Sequence, residues 1–407
     1  MRHKRTYYSP YSRRRRVNWR KILVFVGIPV AVIALLVALN FNRIKLMMKG
    51  YNFSQASVVL KQSKDIKAEL LSKDKVNYLT DWLSLDLNAG YYDEYDRYFE
   101  MHPDMSKEDV VSTMQNFMDK KYPELTKLGY SDEDIWGILQ DASMNDVETL
   151  ITNKYTMDTV KRFNQYKYFD YQKIGEYLTA ANEYKNDEYA VNIVNFPFII
   201  STNPTNEFYE IQNPEDITAL VKKGFYLPST YVPSDLVVPD MPIAPDNTDN
   251  TVRQVVADAL VKMTADAKKV GLELVLNSGY RSYQEQTKVY DETEAEFGGI
   301  YASEYVALPG ASEHQTGLGV DITSQSVVDG TRITFGDTEE YQWVIKNCYK
   351  YGFIERFSPE TADITGIAHE PWHLRYVGEE VAKKIHDEGW TFEEYCLNTS
   401  TIPNLSE

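Results

Sequence analysis

The sequence predicts a mixed α+β domain with a small antiparallel sheet, preceded by a transmembrane helix and an all-α stalk. Three observations support this: an apolar run near the N-terminus, a long segment without strand alternation, and alternating helix and strand patterns beyond residue 250. We therefore divide the 407 residues into four parts. These are a basic cytoplasmic tail at 1–21, a transmembrane helix at 22–41, a helical extracytoplasmic stalk at 42–190 and a C-terminal domain at 191–407.

The predicted anchor contains 18 uncharged and almost wholly apolar residues, Ile22–Leu39, enough to cross a bilayer as a helix. Gly27 and Pro29 are tolerated better in membrane helices than in soluble ones. Nine Lys or Arg residues precede the run, which places the N-terminus in the cytoplasm and the remaining chain outside. A cleaved signal peptide is the alternative, but the run exceeds a usual h-region and no A-x-A site follows it. We expect a retained single-pass anchor in the cell membrane.

The charge is unevenly distributed. Residues 1–49 contain twelve basic and no acidic residues, so residues 50–407 carry a net charge of −29. A region this acidic binds nucleic acid poorly, and no such partner is expected.

Cys348 and Cys396 form no C-x-x-C pair, which excludes a zinc knuckle or a redox motif. The sequence leaves open whether they are two buried thiols or one disulfide.

The predicted stalk repeats a tyrosine near a turn followed by an apolar helical stripe. The three copies begin at Gly50-Tyr51, Gly129-Tyr130 and Asp170-Tyr171. Such an echo predicts small helical units stacked on one another. The segment is either a spacer or a module that binds the cell wall or a partner. The absence of a ligand-type cluster in its sequence favours the spacer.

The C-terminal domain opens with a strand-like run, Asn192–Ile200, which Pro197 would confine to a sheet edge. A proline-rich lead-in follows, up to Pro245. An apolar helical face then extends from Val252 to Val270, with Gly271 as its stop. Further elements are predicted as strands at 272–277, 318–323, 353–356 and 372–376, a helix at 339–351 stopped by Gly352, and helices begun by capping boxes at Ser282/Glu285 and Thr391/Glu394.

Two short segments contain residues suited to chemistry. His314 and Asp321 lie six residues apart in a glycine-rich turn that leads into a strand, where His314 can swing back beside Asp321. Residues 369–373 match the H-E-x-x-H pattern of helical zinc proteases. Pro371 would break that helix, however, and it pushes the preceding residue out of the α region. The segment is therefore predicted to be extended, with His373 and not His369 as a metal ligand.

The resulting set comprises two imidazoles and two carboxylates. Zinc bound by His314, Asp321 and His373 would keep an open fourth position and lower the pKa of a bound water. Glu370 would stand beside the metal without ligating it, accept the water proton and return it to the leaving amine. We expect Trp372 to pack beneath the site.

The two segments read S-x-H-x-x-G-x-(A/G)-x-D and E-x-W-H-x-R-Y, and this pair resembles the VanY-type D-alanyl-D-alanine carboxypeptidases. These belong to the zinc metallopeptidases that include lysostaphin-type enzymes and hedgehog domains. The likeness covers about residues 200–400 and implies that His314, Asp321 and His373 bind Zn²⁺ while Glu370 is the general base. Gly319 stands where the family usually has alanine, and no loss of the site is expected from this difference.

The family also has an S-G-Y-R-S stretch, which residues 278–282 reproduce. The resemblance implies that Arg281 pairs with the substrate's terminal carboxylate or steadies the oxyanion. Ser312 and Gln286 match family positions expected to contact substrate, although Ser312 could instead cap its loop.

The activity implied is removal of the terminal D-alanine from peptidoglycan stem peptides. An L,D-carboxypeptidase acting on tetrapeptides, a D,D-dipeptidase and a cross-bridge endopeptidase remain open, because pocket walls set such specificity. A wall-binding scaffold without activity is the alternative from another class.

Overall fold

The computed structural model describes residues 19–85, 89–200, 208–245 and 247–405. The chain forms two compact units, Met1–Met157 and Asp158–Glu407. This division lies earlier than the boundary at 190/191 that the sequence suggested, because the helices between residues 158 and 195 pack within the second unit.

The first unit is helical throughout the residues described. Polar caps start several of its helices, including Asn52, Ser131 and Ser143, each with a reciprocal capping box. The predicted all-α character of this region is confirmed. The α-helices are α1 (Trp19–Ile22), α2 (Ile28–Leu39), α3 (Phe41–Met48), α4 (Phe53–Lys61), α5 (Lys64–Ser72), α6 (Leu79–Leu85), α7 (Tyr92–Met101), α8 (Lys107–Asn116), α9 (Tyr122–Lys127), α10 (Asp132–Ile138), α11 (Met144–Thr152) and α12 (Met157–Phe163), which crosses into the second unit.

The apolar run continues from α1 through a π-helical turn, Leu23–Gly27, into α2. Within the part of the chain that the structure describes, no single helix has both the length and the apolarity needed to cross a bilayer. The segments Leu23–Leu39 and Phe41–Met48 meet this requirement only as a pair, and they are bent by 69° relative to each other. The basic tail predicted at 1–21 lies outside the described residues up to position 18.

The repeated tyrosine pattern corresponds in the structure to the C-terminal ends of helices. At Tyr51, Tyr130 and Tyr155 the backbone N–H reaches the carbonyl five residues earlier, at 3.2, 3.2 and 3.0 Å. The residue before each tyrosine has a positive φ, as at Gly50 and Gly129, which is the Schellman ending of a helix. The third copy is therefore Lys154-Tyr155, whereas Tyr171 opens a 3₁₀ turn capped by Asp170.

The second unit combines ten further α-helices with short strands among its described residues. Its helices are α13 (Ile174–Tyr184), α14 (Asp187–Asn195), α15 (Gln254–Lys269), α16 (Tyr283–Phe297), α17 (Gly299–Tyr305), α18 (Gln325–Val328), α19 (Glu339–Asn347), α20 (Ala362–Thr365), α21 (Glu379–Glu388) and α22 (Phe392–Thr399). Its strands are β1 (Tyr209–Glu210), β2 (Phe225–Tyr226), β3 (Leu236–Val237), β4 (Val252–Arg253), β5 (Leu274–Ser278), β6 (Gly319–Ser324), β7 (Phe353–Glu355) and β8 (His373–Tyr376).

A four-stranded sheet in the order β5-β6-β8-β7 forms the centre of this unit, and every neighbouring pair is antiparallel. The predicted small antiparallel sheet is therefore confirmed. Helices α15 and α19 pack against it through Leu260, Met263 and Val344, which are fully buried. Both capping boxes predicted at Ser282 and Thr391 are present. The sheet and α15 together make a rigid base for the loops at its edge.

The predicted edge strand at Asn192–Ile200 is wrong. Asn186 caps α14, which continues to Asn195, and a 3₁₀ turn at Pro197–Ile199 follows. The apolar residues Ala190, Val191 and Ile193 face a second core shared with α13, α21 and α22. Buried Asn192 donates to the Leu397 carbonyl at 2.8 Å, so α14 is held against the C-terminal helix. This tertiary packing outweighs the β-branched composition that suggested a strand.

The two cysteines are buried free thiols, so the disulfide alternative is not what the structure shows. Cys348 opens the 3₁₀ turn after α19, and Cys396 lies in α22. Burial raises the pKa of the Cys348 thiol to about 12, which leaves it an inert core residue.

Candidate active site

Asp321 and His373 are brought together by strand pairing. They are direct partners across β6 and β8, so their side chains leave the same face of the sheet. The Nδ1 atom of His373 lies 3.0 Å from Oδ1 of Asp321. Both residues take part in a cluster of buried ligand-type side chains.

His314 arrives from a 3₁₀ turn, Glu313–Thr316, that ends at Gly317 with a φ of 64°. Its Nδ1 is 2.7 Å from the carbonyl oxygen of Gly279, an acceptor, so Nδ1 bears the proton and Nε2 carries the lone pair. Nε2 lies 3.5 Å from Oδ1 of Asp321. A side chain at Gly279 would press on the Thr251 carbonyl at 2.3 Å, so glycine is required for this close approach.

The ligand atoms of His314, Asp321 and His373 all lie within 4.8 Å of one another. The two imidazole planes cross at 76°, so their nitrogens approach one point from different directions. Two imidazole nitrogens and one carboxylate oxygen suit zinc, with room for a fourth ligand. The residues predicted as metal ligands therefore converge, and their donor chemistry fits that ion.

The electrostatics of the cluster favour positive charge. Burial by itself lowers the pKa of His373, but Asp321 and Glu313 raise it to about 10. Burial would likewise raise the pKa of Asp321, yet the two histidines hold it below its usual range. A divalent cation placed here would find carboxylates already ionised.

Glu370 stands on the wall of the same cavity as the cluster. A tight turn fixes it, because its N–H donates to the Phe357 carbonyl and its own carbonyl accepts from His373 N, both at 3.1 Å. Burial raises the pKa of Glu370 to about 7, opposed by His373 and assisted by Asp321. A carboxyl with that pKa can accept and release a proton near neutrality.

Arg281 lines the cavity with its guanidinium held by three neighbours. Nε donates to Asp249, NH1 to the Gln286 oxygen and NH2 to the Ser278 hydroxyl, each at 3.1 Å. Gln286 is 2% exposed, and its amide nitrogen donates to the Ala307 carbonyl at 2.8 Å. Gln286 thus orients Arg281 with one end and anchors a loop with the other.

The remaining predicted residues occupy distinct places. Ser312 is buried on the cavity wall, and its side chain does not cap the following turn. Trp372 also lines the cavity but is 39% exposed, so the expectation that it packs beneath the site is wrong. The indole forms part of the rim, since the turn at 371–372 projects outward. His369 contacts the Tyr341 hydroxyl at 3.2 Å instead of joining the ligand cluster.

Sequence reasoning missed a buried charge network behind His373. Glu313 accepts from Arg356 at 2.9 Å and from His373 Nε2 at 3.2 Å. Arg356 also pairs with Glu393 of α22. Burial would raise the pKa of Glu313, but Arg356 and Arg375 hold it below its usual range. The only sequence signal was a glutamate beside a proposed ligand, and Arg356 and Glu393 had none.

The site opens into a cavity of about 500 Å³, a volume suited to a short peptide. One part of its wall carries Glu370, Arg281 and the ligand cluster. Another part is apolar, with Val289, Val306 and Leu308. The cavity can therefore place a small apolar side chain and an anionic group beside the ligand cluster.

Two imidazoles and a carboxylate beside a second carboxylate that does not join them form the arrangement of hydrolases that activate water. Residues 249–379 match the profile of the family described as VanY, D-alanyl-D-alanine carboxypeptidase. The putative carboxypeptidase YodJ of Bacillus subtilis is 49% identical over 194 residues, which cover 47% of this chain and 71% of that protein. The chain belongs to the VanY family of D-alanyl-D-alanine carboxypeptidases, as the motifs indicated. This membership makes it a peptidase of the hydrolase class.

Two further known proteins are similar to this chain. The bifunctional D-Ala-D-Ala dipeptidase and D-Ala-D-Ala carboxypeptidase VanXYC of Enterococcus gallinarum is 39% identical over 132 residues, 31% of this chain and 70% of that protein. The solved structure of the LdcB LD-carboxypeptidase is 47% identical, with a TM-score of 0.44, and the match covers 47% of this chain and 91% of that one.

Proposed function

We propose that this chain is a membrane-anchored zinc carboxypeptidase that removes the C-terminal D-alanine from peptidoglycan stem peptides. The observation that carries the proposal is the convergence of three ligand atoms within 4.8 Å in the cavity that also holds Glu370 and Arg281. Membership of the VanY family supports the substrate class. His314, Asp321 and His373 would hold the metal.

When bound, zinc supplies Lewis acidity, which makes water nucleophilic near neutral pH and polarises a carbonyl. Glu370 accepts the proton of the attacking water and delivers it to the amine of the departing D-alanine. Glu370 lines the same cavity as the ligand cluster, and two backbone hydrogen bonds fix the position of its main chain. One residue thus serves as base and then as acid.

Arg281 recognises the free C-terminus in this proposal. Arginine has five N–H groups, and three of them are used by Asp249, Gln286 and Ser278. NH1 and NH2 each retain a second N–H that is available to a carboxylate. A fixed cation on the wall favours an exopeptidase over an endopeptidase, because an internal peptide bond brings no carboxylate.

The test is mass spectrometry of defined muropeptides incubated with the purified full-length protein. We expect pentapeptide stems to lose one D-alanine, activity to disappear after zinc is stripped, and activity to return with added zinc. Cleavage of tetrapeptides alone would assign an L,D-carboxypeptidase, and cleavage of cross-linked dimers an endopeptidase. No product from any of these substrates, with zinc bound, would leave the scaffold alternative standing.

The membrane anchor is the second part of the proposal. Side chains of the apolar run are exposed, with Leu23 at 68%, Phe25 at 74% and Ile33 at 59%. An apolar surface of this kind requires a lipid or protein cover. We expect the protein to remain in membranes after alkaline carbonate washing, with residues beyond 50 open to external protease. Release by carbonate would contradict the anchor.

A further inference from the structure

The nitrogen of His373 that faces away from the ligand cluster meets a buried carboxylate. Its Nε2 lies 3.2 Å from Oε2 of Glu313, and both residues are 4% exposed. A carboxylate accepts hydrogen bonds only, so Nε2 must carry the proton. Nδ1 faces a second carboxylate, that of Asp321, at 3.0 Å, so without a metal each ring nitrogen has an acceptor for a proton. A cation that binds beside Asp321 would replace the Nδ1 proton, and Glu313 would keep the remaining proton on Nε2, which is the tautomer that a metal ligand requires.

Glu313 is itself held by two cations. Its other oxygen, Oε1, accepts from Arg356 Nε at 2.9 Å and lies 3.1 Å from Arg375 NH1. The two oxygens therefore have separate tasks, since one pairs with guanidinium groups and the other faces the imidazole. A carboxylate this deeply buried would be costly without such partners.

The cations are fixed in turn by elements outside the region that matches the family. Arg356 makes a two-pronged pair with Glu393 of α22, at 3.0 and 2.7 Å. Glu393, which is 0% exposed, also accepts from Lys222 at 3.2 Å. The matched region is 249–379, so both Lys222 and Glu393 lie beyond it.

Gly319 closes the remaining space around Glu313. A Cβ atom at this position would lie 2.9 Å from Cβ of Glu313 and 3.0 Å from its carbonyl carbon. The start of β6 therefore presses directly on the Glu313 segment. This contact leaves the carboxylate little freedom to withdraw from His373.

We propose that Glu313 is a positioning residue that fixes the ring of His373 with Nδ1 turned toward the metal, and that the Arg356–Glu393 pair makes α22 part of the metal centre. The inference rests on the proposed zinc site. It adds to that site a carboxylate that is not one of the three proposed metal ligands.

The test compares zinc affinity in the full chain carrying Glu313→Gln or Glu313→Ala, measured by competition with a chromogenic chelator. Loss of a hydrogen bond between a metal-binding histidine and a supporting carboxylate lowers metal affinity by about 10- to 100-fold. We expect Glu313→Gln, which keeps an acceptor oxygen, near the lower figure and Glu313→Ala near the upper. If circular dichroism shows that Glu313→Ala does not fold, the zinc affinity of Glu313→Gln alone tests the proposal.

Nitrogen-15 NMR of the histidine rings gives a readout that a general loss of stability would not move. In the zinc-loaded wild type, we expect His373 to be protonated at Nε2 and ligated through Nδ1. In Glu313→Ala the Nε2 proton should exchange faster with water. Glu393→Gln should weaken zinc binding in the same direction, whereas Glu388→Gln, on the exposed face of α21, should not.

The outcomes separate the two proposals. A wild-type chain that binds no zinc overturns the proposed function. A wild-type chain that binds zinc, together with Glu313 variants whose zinc affinity and His373 signals are unchanged, overturns the positioning role alone. Weaker binding in Glu313→Gln with unchanged binding in Glu393→Gln would confine the effect to Glu313 and overturn the role of α22.

Discussion

Asp321 and His373 are direct cross-strand partners on β6 and β8, and Nδ1 of His373 lies 3.0 Å from Oδ1 of Asp321. Strand pairing thus joins two donors that are 52 residues apart in sequence. Only His314 needs a loop to reach them, and its imidazole is oriented by donating from Nδ1 to the Gly279 carbonyl. The centre of the candidate site therefore has the rigidity of the sheet.

The first prediction concerns Asp321→Asn. An amide is a weaker ligand than a carboxylate and removes the one anionic partner that the two histidines share. Loss of a hydrogen bond that supports a metal ligand from outside the ligand set lowers metal affinity by up to about 100-fold. We expect the change of a ligand itself to lower zinc affinity by more than this. Chelator competition measures this fall. The control is Asp329→Asn at the exposed position that follows α18, and an equal loss in both variants would contradict the ligand role.

Arg281→Lys gives the second prediction. Lysine keeps the charge but cannot form the planar fork toward a carboxylate. We expect kcat/KM for pentapeptide stems to drop by about 10- to 100-fold, the equivalent of one charged hydrogen bond. A stem with an amidated C-terminus should be a poor substrate for both forms. Arg332→Lys, at an exposed position, should behave as wild type. Equal turnover of free and amidated stems by the wild type would refute carboxylate recognition.

Gly319→Ala gives the third prediction. The added methyl group would overlap Glu313 at 2.9 Å, and overpacking of this kind costs about 1–3 kcal/mol. We expect a lower unfolding temperature for the second unit together with weaker zinc binding. Gly137→Ala is the control. A Cβ atom at Gly137, in α10, would meet nothing within 4 Å, so this variant should leave the unfolding temperature of the second unit unchanged. A stabilised Gly319→Ala would show that the Glu313 segment is free to move.

The fourth prediction concerns acid stability. Burial alone raises the pKa of Glu393, but Arg356 and Lys222 outweigh it and hold the pKa below the ordinary value of 4.5. The unfolded state therefore binds more protons than the folded state between these two pKa values. The stabilisation by Glu393 is complete above pH 4.5 and is lost as the pH falls through the folded value.

The measurement is the free energy of unfolding between pH 3 and pH 7, about the range in which carboxyls titrate. The wild-type curve should fall toward acid more steeply than that of Glu393→Gln, which has no carboxyl to protonate at that position. Glu388→Gln serves as the exposed control. Parallel curves for wild type and Glu393→Gln would mean that the network is not ionised as the structure indicates.

Much of the site could be predicted because its candidate functional residues lie within a few short sequence motifs. Pro371 excluded the helical H-E-x-x-H arrangement, and His369 indeed lies apart from the ligand cluster in the structure. The strands β6 and β8 were predicted within one residue of their observed bounds. The roles of the converging residues remain predictions.

The remaining features depend on tertiary contacts that no sequence pattern reveals. The Asn192–Ile200 run is mostly helical because a core shared with α22 accepts its apolar face. The side chain of Gln286 is oriented toward Arg281 because its amide nitrogen donates to the Ala307 carbonyl of a nearby loop. No sequence pattern singles out Arg356 and Glu393, and only their burial and contacts reveal that they lie behind a proposed metal ligand.

Zinc content and D-alanine release can be measured on the same samples of wild type and Glu370→Gln. Glu370 holds no ligand position, so we expect one zinc per chain in both proteins and release of D-alanine from pentapeptide stems by the wild type alone. Undiminished release by Glu370→Gln, or full activity in a wild-type sample without zinc, would contradict the proposed mechanism.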